Sequence, residues 1–486
     1  MADFLLELYS EEIPPKLQIN ARKQISDSFI SLLNKEGISF KKHDFFSSPK
    51  RIIISIKNLP FFTKDLSKEI KGPRINVPEE IIKAFLNSHG ASDNDLVKKT
   101  IDKGEFYFLK TKEKKRDVKE ILEINIPKIL KSISWKKSMK WSNNEIFWGR
   151  PLHSILALFN NKIITFKYGH IESTSHTFVE QNCEEVQKKI NSFKDYESLM
   201  KKNSIIFDHE NRKKIILNKF KSKIKQKFIE NFDEVLLEEV TNIVENPNVI
   251  LASFDKKYLR IPKEIIISTL KVNQRYFPLF DPKNNLTNNF FIVSNKPDVK
   301  NIIKTGNQRV VESRLADANF FWERDKSKNL IKQINKLKSI NFFEKIGTVF
   351  DKTQRLRKLS SFMSDELNFN KEKVEIAASI SKTDLCSDLV GEYPDLQGIM
   401  GKHFAISQGF DEDIAQSVSE HYLPTGTDSK IPRKTLSCII SIADKIDSLV
   451  CFFAINFKPT SSKDPFALRR AAIGLLKIVI ENKLSL

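Results

Sequence analysis

The stretch PTSSKDPFALRRAAIGLLKIVI (Pro459–Ile480), with ADKID (Ala443–Asp447) just before it, decides how the C-terminal part of this chain folds. Asp464 is suited to cap a helix and Pro465 to its first turn, where a missing N–H costs nothing. From Phe466 the chain runs FALRRAAIGLLKIVI, mostly apolar, which predicts a largely buried helix. Arg469 and Arg470 stand side by side in it, about 100° apart around the axis. Two readings of them follow from residue types alone: the edge of a solvated face, or partners for the carboxylates of Asp444 and Asp447.

Working outward, CIISIADKIDSLVCFF (Cys438–Phe453) predicts a buried helix with Asp444 and Asp447 on one face. From Leu330 the pattern is helical almost throughout, in KIGTVFDKTQRLRKLSSF, VEIAASISKTDLCSDLV and DLQGIMGKHFAIS, with Gly391, Gly398 and Gly409 as breaks and HYLPTGTDSKIP as a loop. At the other end, FLLELY (4–9) reads as a strand, followed by the Glu11–Pro15 turn and a helix to about Leu33. RIIISIK (51–57) is a second strand, so the chain opens as an α/β domain. Phe106–Leu109 predicts a strand and Lys110–Glu120 a solvated connection. Residues 201–230 carry ten Lys/Arg against three acids, with Leu217, Phe220, Ile224 and Phe228 at helical steps. A strand pair at about 276–281 and 289–294 flanks the turn DPKNN.

The 486 residues suffice for about three domains, and 40% apolar with 29% charged residues fits a globular protein. The excess of 81 Lys+Arg over 61 Asp+Glu, a net +20, suits a polyanionic partner, although abundant Lys, Asn, Ile and Phe also follow from an AT-rich genome. No apolar run reaches the ~18 residues of a membrane span, and the acidic start MADFLLELYSEEIPP is unlike a signal peptide, so a cytoplasmic protein is expected. Cys183, Cys386, Cys438 and Cys451 form no CxxC pair and are expected to be buried thiols. In PKILKSISWKKSMKWSNNEIFWGRPLHSI (Pro127–Ile155), Lys136, Lys137, Lys140 and Arg150 alternate with Trp135, Trp141 and Trp148. Cations neutralise phosphates and aromatics stack on unpaired bases; the competing reading is core tryptophans and surface lysines.

Several of these stretches carry one family resemblance. KDPFALRRAA preceded by ADKID is similar to the β subunit of the bacterial tetrameric (α2β2) glycyl-tRNA synthetase. LLELYSEEIPP stands where that family has LLEIGTEELPP, and SPKRI where TPRRL is common, with Lys50 losing the planar fork of an arginine. The Lys136–His153 segment resembles the family's K-x-M-x-W...RPxH motif. LLEEV, VENP and KVNQRYFP (Leu236–Pro278) match in order, and GNQRVVESRLADANFF resembles GNERVxxxRLADAxFF, with Gln308 for Glu and Glu312-Ser313 for Arg-Pro.

The resemblance implies an α+β multidomain chain, with α/β domains at 1–155 and 156–335. The second would resemble the editing-type domain of the phenylalanyl-tRNA synthetase β subunit. A helical domain at 336–486 would resemble a degenerate His-Asp (HD) phosphohydrolase. The chain is expected to be truncated before the family's C-terminal anticodon-binding domain. It further implies a tRNA-binding subunit of glycine–tRNA ligase without a catalytic centre of its own, with tRNA(Gly) and the α subunit as partners. ATP with Mg would be used on the α chain, and this chain would hold no cofactor or metal. The residues expected to face RNA are Lys136, Lys137, Lys140, Arg150, Lys271, Arg275, Arg309, Arg314, Lys463, Arg469 and Arg470.

The chemistry otherwise legible is sparse. An HD metal site needs a His-Asp dipeptide, yet Asp384 follows Thr383, and the nearby histidines are His403 and His421. Asp444 could supply the last aspartate, while His43-Asp44 lies far upstream. Gly398–His403 (GIMGKH) lacks Walker spacing. A metal phosphohydrolase and a generic RNA-binding module are the alternatives.

Overall fold

The computed structural model describes every residue except 64–66, 102–103, 113–114, 142–145, 182, 225–232, 427, 461–462 and 486. The chain forms two compact units. The first comprises Met1–Ser222, Phe232–Val249 and Val293–Pro297; the second comprises Lys223–Asn231, Ile250–Ile292 and Asp298–Leu486.

In the first unit, β1 (Ala2–Ser10) leads into α1 (Pro15–Lys35), with Pro15 at the helix start, and then β2 (Lys42–Ser48) and β3 (Arg51–Leu59). A three-stranded sheet follows, β4 (Ser67–Arg74), β5 (Leu96–Ile101) and β6 (Gly104–Lys112) in the order β4-β6-β5, with α2 (Glu79–Ser88) between its first two strands in sequence. Next come α3 (Val118–Ser132), capped by the Asp117 side chain, the short pair β7 (Met139–Lys140) and β8 (Phe147–Trp148), and β9 (Leu152–Phe159). The run β10 (Lys162–Ile163), β11 (Lys167–Tyr168), β12 (Ile171–Thr174), β13 (His176–Gln181) and β14 (Glu184–Lys189) precedes α4 (Phe193–Lys202), α5 (His209–Ile224) and α6 (Glu234–Thr241).

The main sheet has the order β11-β12-β9-β1-β3-β2, with β10 on β9. Its central pairs are antiparallel, and β12 joins β9 in parallel. The unbroken apolar runs of β1 and β3 are explained by burial on both faces. Phe4, Leu6, Leu8, Ile52, Ile54 and Ile56 pack with α1 and α3, whereas Leu5, Ile53, Leu156 and Leu158 pack with Tyr196 and Met200 of α4. The expected strand–helix–strand opening therefore contains an additional strand, β2, and is antiparallel. Residue 155 lies inside β9. The expected connection at Lys110–Glu120 is shorter, since β6 runs to Lys112 and α3 begins at Val118. On α5 the buried stripe is Arg212, Ile216, Phe220 and Ile224, with Leu217 half-buried; Phe228 lies outside the described residues.

The second unit opens with the sheet β15-β17-β16, formed by β15 (Asn248–Ser253), β16 (Phe277–Phe280) and β17 (Leu286–Ser294), with the hairpin at DPKNN as expected. Between β15 and β16 lie α7 (Lys263–Ser268) and a π-helical turn, Thr269–Asn273. The 25-residue α8 (Ile302–Lys326) buries Val311, Leu315, Ala318 and Trp322 on one face.

After α9 (Leu330–Gln333), the region expected to be all-helical contains a small hairpin, β18 (Asn341–Phe343) with β19 (Gly347–Thr348). Phe342 and Phe343, β-prone aromatics, pack their rings on Phe452, and Gly347 supplies the φ of +106° that the turn needs. Helices follow: α10 (Val349–Glu366), α11 (Lys371–Ile380), α12 (Asp388–Glu392), α13 (Ile399–Ser407), α14 (Glu412–Glu420), α15 (Thr435–Ala454) and α16 (Leu468–Glu481).

α15 is buried as predicted, but α16 is not. It begins at Leu468 rather than Pro465, although Asp464 still caps it, accepting from the Leu468 and Arg469 N–H groups at 2.8 and 3.0 Å. Only Leu468, Gly474 and Ile478 are buried. A Cβ at Gly474 would lie 3.1 Å from both Lys445 and Pro424, so the helix makes a narrow, close approach there and leaves Ile473, Leu476 and Ile480 exposed. The cysteines also depart from expectation: Cys438 is buried, Cys386 and Cys451 are half-buried, and Cys183 is exposed. Among the described residues no helix is long and apolar enough to cross a membrane.

Candidate nucleic-acid interface

The Lys136–Arg150 segment separates cleanly into core and surface. Trp148 is fully buried, its ring 4.9 Å from that of Trp135, and Trp135 and Trp141 pack against the main core. The tryptophans are structural. Lys136, Lys137 and Lys140 are exposed, and Arg150 is half-buried, its guanidinium 3.5 Å from the Gly149 carbonyl. β7 and β8 place Lys140 opposite Phe147, whose ring is 54% exposed, so the aromatic that reaches solvent is the phenylalanine.

In the second unit, the KVNQRYFP motif coincides with the π-helical turn and with Arg275 at φ +58°, an energetically unfavourable backbone for a non-glycine residue. Lys271 is half-buried and Arg275 exposed. The Tyr276 hydroxyl donates to Asn307 on α8, whose outer face exposes Arg309 and Arg314. Lys463, Arg469 and Arg470 are exposed around the start of α16. The eleven residues thus divide between the two units, with Lys136, Lys137, Lys140 and Arg150 in the first and the rest in the second.

Two buried polar clusters were invisible in the sequence as pairings. In the first unit, Arg51 Nε lies 3.2 Å from Glu7 and its Nη1 2.8 Å from Glu245, with the guanidinium 4.8 Å over the Tyr9 ring. Thr177 and Tyr196 hydroxyls donate to Glu7, whose carboxyl burial pushes up despite Arg51. The Tyr9 hydroxyl and Lys50 both donate to Glu185, at 2.6 and 2.7 Å. LLELYSEE, SPKRI and VENP, far apart in sequence, therefore meet at one end of the main sheet.

In the second unit, Asp444 faces two ammonium groups, Lys382 at 2.9 Å and Lys352 at 3.3 Å, while Asp447 pairs with Lys352 and Arg355 at 3.1 and 2.5 Å. Arg469 and Arg470 are thus not needed by these carboxylates. Burial pushes Asp444 up, but Lys352 and Lys382 outweigh it and hold the group well below the carboxylate range. Asp384 is fully buried and pushed up to about 6 by that burial, although its Oδ2 accepts from the Gly398 and Gly401 N–H groups at 2.5 and 3.3 Å. His421 is buried beside them, its Nδ1 2.7 Å from the Val418 carbonyl, and burial holds the ring neutral. With lysines against Asp444, these residues do not fit a divalent ion. Among the described residues no His/Cys/Asp/Glu group is arranged to hold a metal.

Comparison with known proteins accounts for this arrangement of motifs. Residues 4–486 match the family model described as glycyl-tRNA synthetase beta subunit. The chain is 36% identical over 494 residues to the glycine–tRNA ligase beta subunit of Rickettsia canadensis, covering 100% of this chain and 72% of that protein. It is 33% identical over 520 residues to that of Rhodospirillum centenum, with the same coverage, and 35% identical over 497 residues to that of Rickettsia felis. The chain belongs to the glycyl-tRNA synthetase beta subunit family. A predicted HD superfamily hydrolase from an uncultured Thermotogales bacterium is 16% identical and covers 31% of this chain and 86% of its own, but its TM-score of 0.20 carries no argument.

Proposed function

We propose that this chain is the tRNA-binding β subunit of a glycine–tRNA ligase, supporting ATP-dependent attachment of glycine to tRNA(Gly) by a separate α subunit in an α2β2 assembly in the cytoplasm. The observation that carries the reading is the family match over residues 4–486. The exposed Lys136, Lys137, Lys140, Arg309, Arg314, Arg469 and Arg470 support it, as cations at the surface, where phosphate oxygens can approach. Glycine activation, with ATP and Mg, belongs on the α chain in this reading.

The helical region is proposed to be an HD fold that has exchanged metal chemistry for an internal ion-pair cluster. What supports this is that Asp384, His421 and Asp444 end up in one buried cluster with Lys382 and Lys352. The test is reconstitution. Purified alone, the chain binds tRNA(Gly) and shows no glycine-dependent pyrophosphate exchange; mixed with a catalytic α chain from a close relative, it restores charging of tRNA. Exchange by the chain alone would falsify the division of labour.

A further inference from the structure

We propose that a pocket in the first unit takes a single unpaired nucleotide of RNA; this rests on the tRNA-binding reading above and gives it a place. The pocket, about 720 Å³, is lined by Pro127, Lys131, Ile133, Lys140, Ile146, Phe147, Lys167, Tyr168 and Gly169. Its volume lies inside the ~300–1,000 Å³ range of ligand sites.

Three features define the ligand. The walls are apolar and aromatic: Ile133, Ile146 and Tyr168 are buried, and Phe147 is 54% exposed at the rim. The cations come from three separate elements, Lys131 at the end of α3, Lys140 on β7 and Lys167 on β11, and among the described residues no carboxylate lines the pocket. Lys167 reaches Glu172 at only 3.8 Å with both side chains exposed, and neither Lys131 nor Lys140 has an ion-pair partner among the described residues. Finally, Lys140 and Phe147 are cross-strand partners, which puts a basic and an aromatic residue side by side at the pocket.

The space is maintained by the backbone. At Gly169, with φ +61°, a Cβ would lie 1.6 Å from Ile146 Cδ1, so a side chain there would drive Ile146 from its place in the wall. An apolar pocket with an aromatic residue at its rim and three lysines in its lining matches a nucleobase and its flanking phosphates. A base-paired nucleotide has its faces stacked inside the helix and cannot enter; bases in loops and single-stranded ends can. An acidic peptide with an apolar side chain shares part of this chemistry, but the exposed Phe147 and the family's named substrate class favour RNA.

The full chain is tested with a labelled single-stranded RNA tetranucleotide and with a tRNA(Gly) transcript, using Phe147→Ala and the double variant Lys131→Gln/Lys140→Gln, all at surface positions. Phe147→Ala is expected to weaken tetranucleotide binding about tenfold or more, as loss of one base–aromatic stack does. The double variant is expected to reduce the slope of log affinity against log salt by about 1.4, at ~0.7 per phosphate contact on a single strand. Melting temperatures should stay at the wild-type value. If wild type binds the transcript but both variants match it on both RNAs, the pocket assignment is overturned and the tRNA reading stands. If wild type binds neither RNA, both fall. If a Glu/Leu peptide binds saturably and loses binding in Phe147→Ala while RNA does not, the pocket is a peptide site instead.

Discussion

The Lys382 ammonium lies 2.9 Å from the Asp444 carboxylate, and both groups are withdrawn from solvent. An internal cation of this kind is part of the fold: it neutralises a charge that burial alone would not tolerate. Lys382 also sits 4.1 Å over the Tyr422 ring, so one side chain serves two partners.

Replacing Lys382 by Met should therefore destabilise the chain by ~3 kcal/mol, the lower end of the ~3–5 expected for a broken buried pair, because Lys352 still faces Asp444. Urea denaturation measures it. Adding Asp444→Asn should recover part of the loss, and a double variant no better than the single one would contradict the pairing.

Asp384 gives a pH dependence of definite sign. Its folded-state pKa of about 6 lies above the ordinary 3.8, so the native state holds the extra proton in between. Stability from this group falls as pH rises from ~4 to ~6 and stays lower above that. Asp384→Asn should gain on wild type over that interval by up to ~3 kcal/mol, from two units at ~1.4 kcal/mol each. Denaturation at pH 4 and pH 7 reads the difference directly; a pH-independent difference would count against the assignment.

Arg51 tests the cluster in the first unit. Arg51→Met strands Glu7 and Glu245 and should cost ~3–5 kcal/mol. Arg51→Lys should rescue little, because one ammonium cannot reproduce a fork that reaches Glu7, Glu245 and the Phe178 carbonyl together.

Arg469 and Arg470 are exposed on α16, so reversing both to Glu should change stability by no more than ~0.5 kcal/mol. Weaker tRNA binding with unchanged melting temperature is the expected result. A fall in melting temperature with unaltered tRNA affinity would instead assign them to packing.

Gly169→Ala combines a left-handed backbone with a blocked Cβ position and should cost ~1–3 kcal/mol, measurable by thermal denaturation.

Much of this architecture was legible where the physics is local. FLLELY and RIIISIK announce strands covered on both faces, DPKNN announces its hairpin, and the ADKID helix is as buried as its composition implies. β2 was missed because KHDFFSS is half-exposed and lacks the alternation that marks a strand. The burial of α16 was overestimated because an apolar run does not reveal which side a neighbour covers, and here contact is made at Gly474. Pairings such as Arg51 with Glu245 have no local signal at all. Of the nucleotide pocket, sequence marked only Lys140; Lys131 and Lys167 join it through the packing of α3 and β11.

The Arg51–Glu245 bond also bears on how the chain comes off the ribosome. The two residues are 194 positions apart, and at ~5–20 residues per second the arginine is made about 10–40 s before its acid. Throughout that interval the nascent sheet carries a guanidinium with only part of its final neutralisation. The amino-terminal unit is complete only once residues 232–249 and 293–297 have returned to it, so its finishing step waits until residue 297 has been made.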